Sequence, residues 1–443
     1  MRFLPDKPIE TWMQDQLSLR DFVSQIRTAI ENTETPFVFG VLGDWGTGKT
    51  STLNLLKDNL ITNKGTKPYF VPIWFNAWLY ENEANIVYPL LYAIKKDYEE
   101  RLKGFDSAKK ISADLLKVVA ASTLALTDIS LRVVSKHFIG DAMKLSDIQE
   151  QVDTVLKNPG EIEQALSSWA DQVGGLKKAY QSLIDTYALE LAATLKDVSK
   201  KDIRFVILID DLDRCLPQTA ITILESVKNF LSADQCIYVF GLNPKVVYQG
   251  VQTKYQGIQM NGREYLEKIL NYNFYVPEPT LDDISKYAIK ALENLSFDDK
   301  IKLGDLFLTF GQVLQECKFN NPRKVNRILN HYLRFIHTFK QDLPKYYLEN
   351  IVKLCILGEY YPGIFAVLMN DEARADLSKI QSPEFRIKEF EDKHGVQIQS
   401  FFDQLIKTQK LLQFKKPTGL QQGYSFTDHW IADRKSTRLN SSH

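Results

Sequence analysis

Five short apolar runs punctuate this chain, and longer stretches with helical spacing separate them. The runs are residues 37–42, 69–75, 203–209, 236–240 and 272–276. Each is too short for a buried helix, and 203–209 (IRFVILI) is rich in β-branched side chains, so all five read as buried strands. Helical segments between successive strands predict βαβ units and hence an α/β fold with a five-stranded, mainly parallel sheet. Residues 1–35 are polar and mildly helical. Residues 104–200 keep helical spacing with few breakers, except that Gly174-Gly175 predicts the end of one helix, with 176–198 starting the next. Beyond Pro279 the pattern is helical to about residue 375, and 376–432 has no clear period.

The first strand runs into Gly43-Asp44-Trp45-Gly46-Thr47-Gly48-Lys49-Thr50, which fits G-x-x-x-x-G-K-[ST]. A helix from Lys49 to about Asn59 is expected next. Glycines let such a loop turn its N–H groups onto a β-phosphate at the positive end of that helix. Lys49 is then expected between the β- and γ-phosphates, with the Thr50 hydroxyl at a Mg²⁺ position. The bland alternative is a glycine-rich turn before a helix. The 203–209 strand ends in Asp210-Asp211-Leu212-Asp213-Arg214. A carboxylate at the tip of an apolar strand suits the metal, so Asp210 is the expected metal partner. Asp211 is the candidate to orient or deprotonate the attacking water, and Asp213 is its rival. Strict strand alternation would point Asp211 away from Asp210, so that role requires the backbone to turn there. The bland alternative for the cluster is an acidic helix start.

Composition narrows the class without naming a reaction. The chain has 443 residues, 44% hydrophobic and 25% charged, enough for a large core and more than one domain. Lys+Arg and Asp+Glu both number 55, so no basic excess points to nucleic acid or an anionic membrane. Four scattered cysteines, none in a CxxC, argue against a disulfide framework or a Cys-based zinc site and fit a reducing, cytoplasmic setting. The first residues lack an apolar signal core, and export is not expected.

Taken together, the motifs resemble the KAP family of P-loop NTPases, an additional-strand group related to the signalling STAND ATPases. The resemblance rests on GDWGTGKTS at 43–51, WFNAW at 74–78, ILIDDLDRC at 207–215, EYLEKI at 264–269 and NPRKVNRILN at 321–330, and it spans about 10–375. It implies ATP binding through Gly43 to Ser51, Mg²⁺, hydrolysis and a nucleotide-driven conformational switch. Bacterial relatives are linked to phage exclusion, and others to membrane-tethered signalling. In additional-strand ATPases a polar residue at the tip of the next strand contacts the γ-phosphate or lytic water, which makes Asn243 a candidate. Asn-Pro is also a common turn starter. Arg323, in a helix after the sheet, is a candidate γ-phosphate sensor or else part of a solvated basic face. The aromatic WFNAW stretch reads mainly as core.

Lys49 and Asp210 are 161 residues apart, so an insertion at about 104–200 is expected inside a P-loop core spanning 1–280. A helical lid at 281–375 and an unassigned region at 376–432 follow. Many family members carry paired transmembrane helices in the insertion. Here Lys117 and Asp128 leave ten uncharged residues between them, too few to cross a bilayer. The 111–134 stretch as an interfacial helix stays open, as does a nucleotide-dependent oligomer. Residues 433–443, DRKSTRLNSSH, resemble the translation of a common sequencing-library adapter, which would mean that the native sequence is cut near Ala432 with a C-terminal portion of unknown length missing. Two rivals to a switching ATPase remain: a nucleotide-gated scaffold with little turnover, and a P-loop phosphotransferase.

Overall fold

The computed structural model describes residues 4–62, 67–81, 87–102, 169–195, 198–230, 233–255, 261–293, 309–315, 319–339, 345–370, 372–373, 376 and 386–399. The uncharged stretch 118–127, most of the 104–200 insertion and the 433–443 string lie outside them.

Contacts divide the chain into two compact units. One comprises Pro8–Gln14 and Arg20–Val276, the other Met1–Lys7, Asp15–Leu19 and Pro277–His443. The first holds the sheet: β1 (Phe37–Leu42), β2 (Tyr69–Asn76), β3 (Ile203–Asp210), β4 (Cys236–Leu242) and β5 (Tyr272–Tyr275). Their spatial order is β2-β3-β4-β1-β5, and every pairing is parallel. All seven residues of β4 are buried, as expected for a central strand covered on both faces. Pro72 sits inside β2, which pairs only with β3 among the described residues, and an edge strand tolerates the missing donor.

Helices of this unit are α1 (Arg20–Glu31), α2 (Lys49–Thr62), α3 (Val87–Arg101), α4 (Trp169–Thr194), α5 (Pro217–Phe230), α6 (Pro244–Lys254) and α7 (Gly262–Ile269). The expected break at Gly174-Gly175 does not occur: α4 runs through both. Two glycines cost a helix about 2 kcal/mol relative to alanine. The same helix buries Tyr180, Leu183, Ile184, Tyr187, Ala188 and Leu191 at three- and four-residue spacing, and each large apolar side chain contributes about 1.5–3 kcal/mol. Packing therefore outweighs the local penalty.

The register decides where chemistry can collect. Leu42 pairs with Leu242, and Asn76 with Asp210. The residues that follow β1 and β4, and those that end β2 and β3, therefore lie at the carboxyl ends of neighbouring parallel strands, where open α/β sheets bind ligands.

The second unit is helical: α8 (Leu281–Glu293), α9 (Pro322–Phe339), α10 (Lys345–Tyr360), α11 (Pro362–Met369) and α12 (Ile387–His394), with 309–315 also helical. Its core centres on the stripe Val325, Ile328, Leu329, Tyr332 and Leu333 of α9, at helical spacing. Leu4 is tied to α9 on both sides of its backbone, its N–H donating to Asn330 Oδ1 (2.8 Å) and its carbonyl accepting from Asn330 Nδ2 (2.9 Å).

Candidate nucleotide-binding site

The loop between β1 and α2 is shaped by its glycines. Gly46 and Gly48 have φ of 82° and 102°, a region that side-chain-bearing residues rarely adopt. The loop closes on itself through Thr47, whose hydroxyl donates to the Asp44 carbonyl at 2.8 Å. Its last turn delivers the chain into α2 at Lys49, so the unpaired N–H groups of a 14-residue helix begin at the loop's end. Ser51, in the first turn of α2, accepts from the Ile9 N–H at 3.3 Å, and Asn54 Nδ2 donates to the Ile9 carbonyl at 3.0 Å. Trp45 is largely exposed. Asp44 pairs with Lys245 at 2.8 Å, a solvated contact of little energetic weight.

Lys49 is buried; its ammonium donates to the carbonyls of Gly43 (3.0 Å) and Asp44 (3.1 Å) and makes an ion pair with the Asp213 carboxylate (2.8 Å). Asp213 is as buried as its partner. Asp210, at the tip of β3, is 2% exposed and accepts a hydrogen bond from the Thr50 hydroxyl. Burial pushes its carboxyl up to about 6, and the charges of Asp211 and Asp213 push the same way.

Between these two acids the backbone turns. Asp211 has φ 57° and ψ 23°, a left-handed conformation that Asp tolerates better than most residues, and a one-turn 3-10 helix, Leu212–Arg214, follows. This is the turn that the Asp211 role required. Asp211 accepts from Asn76 Nδ2 at 2.8 Å through Oδ2 and pairs with Arg214 at 2.7 Å through Oδ1. The Asn76 amide is fixed from its other end, because its Oδ1 accepts from the backbone N–H groups of Trp78 (3.0 Å) and Leu79 (3.3 Å). Asn76 thus caps a second short helix, Ala77–Tyr80, and orients one acidic oxygen.

That cap also revises the reading of the WFNAW stretch as core. Phe75 and Ala77 are buried, and Tyr80 stacks on Phe75 with ring centroids 5.3 Å apart. Trp78 and Leu79 are turned outward by the capped turn, with the Arg214 guanidinium 5.3 Å above the Trp78 ring. Sequence reasoning missed Asn76 and Arg214. The available signal was an amide directly after the second apolar run.

Asn243 is buried and caps α6, its Oδ1 accepting from the Lys245 N–H at 3.0 Å, so the turn-starter reading describes at least part of its work. Arg323 belongs to the helical unit, where it pairs with Asp6 at 2.8 Å. The sheet-bearing unit therefore brings together Gly43 to Ser51, Asp210, Asp211, Asp213 and Asn243.

The Mg²⁺ expectation meets a donor set of hard oxygens, a hydroxyl and a buried carboxylate already in contact. Among the described residues no three His, Cys, Asp or Glu side chains form a metal cluster. The hydroxyl and the carboxylate suit Mg²⁺ at a nucleotide site, which takes one or two protein ligands and completes its shell with water and phosphate oxygens.

The sequence profile of the KAP family P-loop domain matches residues 19–339. The chain belongs to the KAP family. Its membership accounts for the P-loop NTPase fold. Among relatives of this KAP protein, the phage T7 exclusion protein of Escherichia coli strain K12 is 24% identical over 379 residues, covering 81% of this chain and 46% of that protein. The KAP chain thus spans under half the length of that relative. An uncharacterized protein of Methanocaldococcus jannaschii is 27% identical over 191 residues, covering 38% of this chain and 89% of its own. Among solved structures, Cdc6p of Pyrobaculum aerophilum aligns with 12% identity and a TM-score of 0.37, covering 97% of this chain and 95% of its own.

No helix among the described residues is long and apolar enough to cross a membrane. Cys215, Cys236 and Cys355 are free and buried, and burial pushes each thiol up to about 12.

Proposed function

We propose that this KAP protein binds Mg·ATP at Gly43–Ser51 and hydrolyses it, and that the change of nucleotide state drives a conformational switch. The observation that carries the reading is the joint geometry of loop and acids. A phosphate-shaped loop opens α2, its lysine is buried beneath it, and a buried acid at the tip of β3 touches the threonine after that lysine. In this reading Lys49 and the N–H groups at the start of α2 hold the β- and γ-phosphates, and Thr50 with Asp210 faces the metal. Mg²⁺, when bound, neutralises charge that develops on the transferred phosphoryl group. Asp211 positions the lytic water: its carboxylate pairs with Arg214 and is oriented by Asn76. Asn243 borders the γ-phosphate side. The helical region 281–375 is the element proposed to respond, and the cytoplasm is the proposed setting. The name of the Escherichia coli relative supports anti-phage defence as the process served.

A specific observation favours a second reading, a nucleotide-gated scaffold with little turnover. Both oxygens of Asp211 are already engaged and Asp213 is committed to Lys49, so neither acid is unclaimed. Single-turnover hydrolysis with excess enzyme separates the two. The ATPase reading expects hydrolysis by the wild type and a loss of about 10²–10⁴-fold in Asp211→Asn with ATP affinity retained. Wild-type hydrolysis no faster than background, with ATP bound, leaves the scaffold.

A further inference from the structure

Asp213 is the acid that the hydrolytic reading leaves without a chemical task, and its environment gives it another. Its Oδ2 is buried and has no hydrogen bond among the described residues, so the Lys49 ammonium 2.8 Å away is what compensates its charge. Lys49 in turn donates hydrogen bonds to two loop carbonyls and makes its ion pair with this one carboxylate. The two carbonyls are neutral. The carboxylate is the anion that competes with phosphate for the same ammonium. A triphosphate that draws Lys49 away leaves a buried, uncompensated carboxylate behind, and an arrangement of that kind is costly by several kcal/mol.

The other charges around Asp213 do not relieve this. Asp210 and Asp211 are acids on the same turn, and the nearest cation in sequence, Arg214, is engaged by Asp211. The compensating charge has to arrive with the ligand.

Building on the nucleotide reading, we propose that Asp213 is the counter-ion that Lys49 releases when a nucleoside triphosphate binds, and that it thereby makes binding at this loop depend on an accompanying divalent cation. Asp213 is a positioning residue in this account. It acts through Lys49, holding the ammonium under the loop and selecting metal-bound over metal-free triphosphate.

The test is ATP affinity measured calorimetrically on the full chain, once with Mg²⁺ and once in EDTA, for the wild type, Asp213→Asn and Asp213→Glu. The wild type is expected to bind metal-free ATP at least tenfold more weakly than Mg·ATP. Asp213→Asn, lacking the competing charge, is expected to bind metal-free ATP about tenfold or more tighter than the wild type, narrowing the gap between the two forms. Asp213→Glu keeps the charge and should keep the gap. A residue with only a structural role would shift both affinities together, and that outcome overturns the proposal, as does unchanged or weaker metal-free binding in Asp213→Asn. Should Asp213→Asn fail to fold, the wild type alone decides, because equal affinity with and without Mg²⁺ overturns the proposal. Wild-type binding of neither form removes the nucleotide reading itself. Binding of Mg·ATP with the gap unaltered in Asp213→Asn removes the Asp213 inference alone.

Discussion

Lys49 sits where stability and ligand binding meet, so one substitution reads both. Lys49→Ala leaves the Asp213 carboxylate buried without its cation, a loss of about 3–5 kcal/mol in related cases, visible as a lower denaturant midpoint. In the same variant, Mg·ATP should no longer raise the melting temperature. Gly48→Ala forces a side-chain-bearing residue to φ near 102°, at a cost of about 1–3 kcal/mol, and should weaken ATP binding while the far-ultraviolet circular dichroism stays unchanged. The loop was legible in the sequence because its chemistry is contiguous: glycines, lysine and threonine are neighbours along the chain. The acids were legible only as a group. Whether Asp211 or Asp213 meets Lys49 depends on a left-handed residue that strand alternation does not reveal. Asn76 was missed for a different reason, since its partner Asp211 lies 135 residues away and only strand pairing brings them together.

Elements that are buried on both faces announced themselves most clearly. The apolar runs of β1, β3 and β4 became strands because a central parallel strand has no solvent face to carry polar residues, whereas edge strand β5 is partly exposed. Helix boundaries were less readable where long-range packing overrides local preference, as in α4. One hydrogen-bonded group shows how that helix is held. The Tyr180 hydroxyl on α4 lies 2.6 Å from the Tyr238 hydroxyl on β4 and 3.3 Å from Cys236 Sγ, all buried. Burial raises both tyrosines well above their ordinary range, so they stay neutral and can share protons as donor and acceptor. Tyr238→Phe removes one partner and should destabilise the protein by about 1–3 kcal/mol in chemical denaturation. No change would mean that the hydroxyl pair contributes nothing net. The short helix at Ala77–Tyr80 was not legible, because aromatic density suggested core, whereas a single capping amide turns Trp78 to the surface.

On the scale of the whole molecule, a neutral composition gave no ligand, and function became readable only through motifs and the family they belong to. The chain changes unit after Val276, and Met1–Lys7 and Asp15–Leu19 group with the helical unit. Those two segments are polar and close to the loop in sequence, and only packing such as the Leu4–Asn330 pair assigns them. The central claim is that this KAP protein binds a magnesium nucleotide at the loop that opens α2. It is tested most directly by calorimetric titration of Mg·ATP into the full wild-type chain and into Lys49→Ala, at a temperature where circular dichroism shows both folded. The account predicts saturable one-site binding by the wild type and none by Lys49→Ala. Equal affinity in the two proteins, or no binding by the wild type, would contradict it.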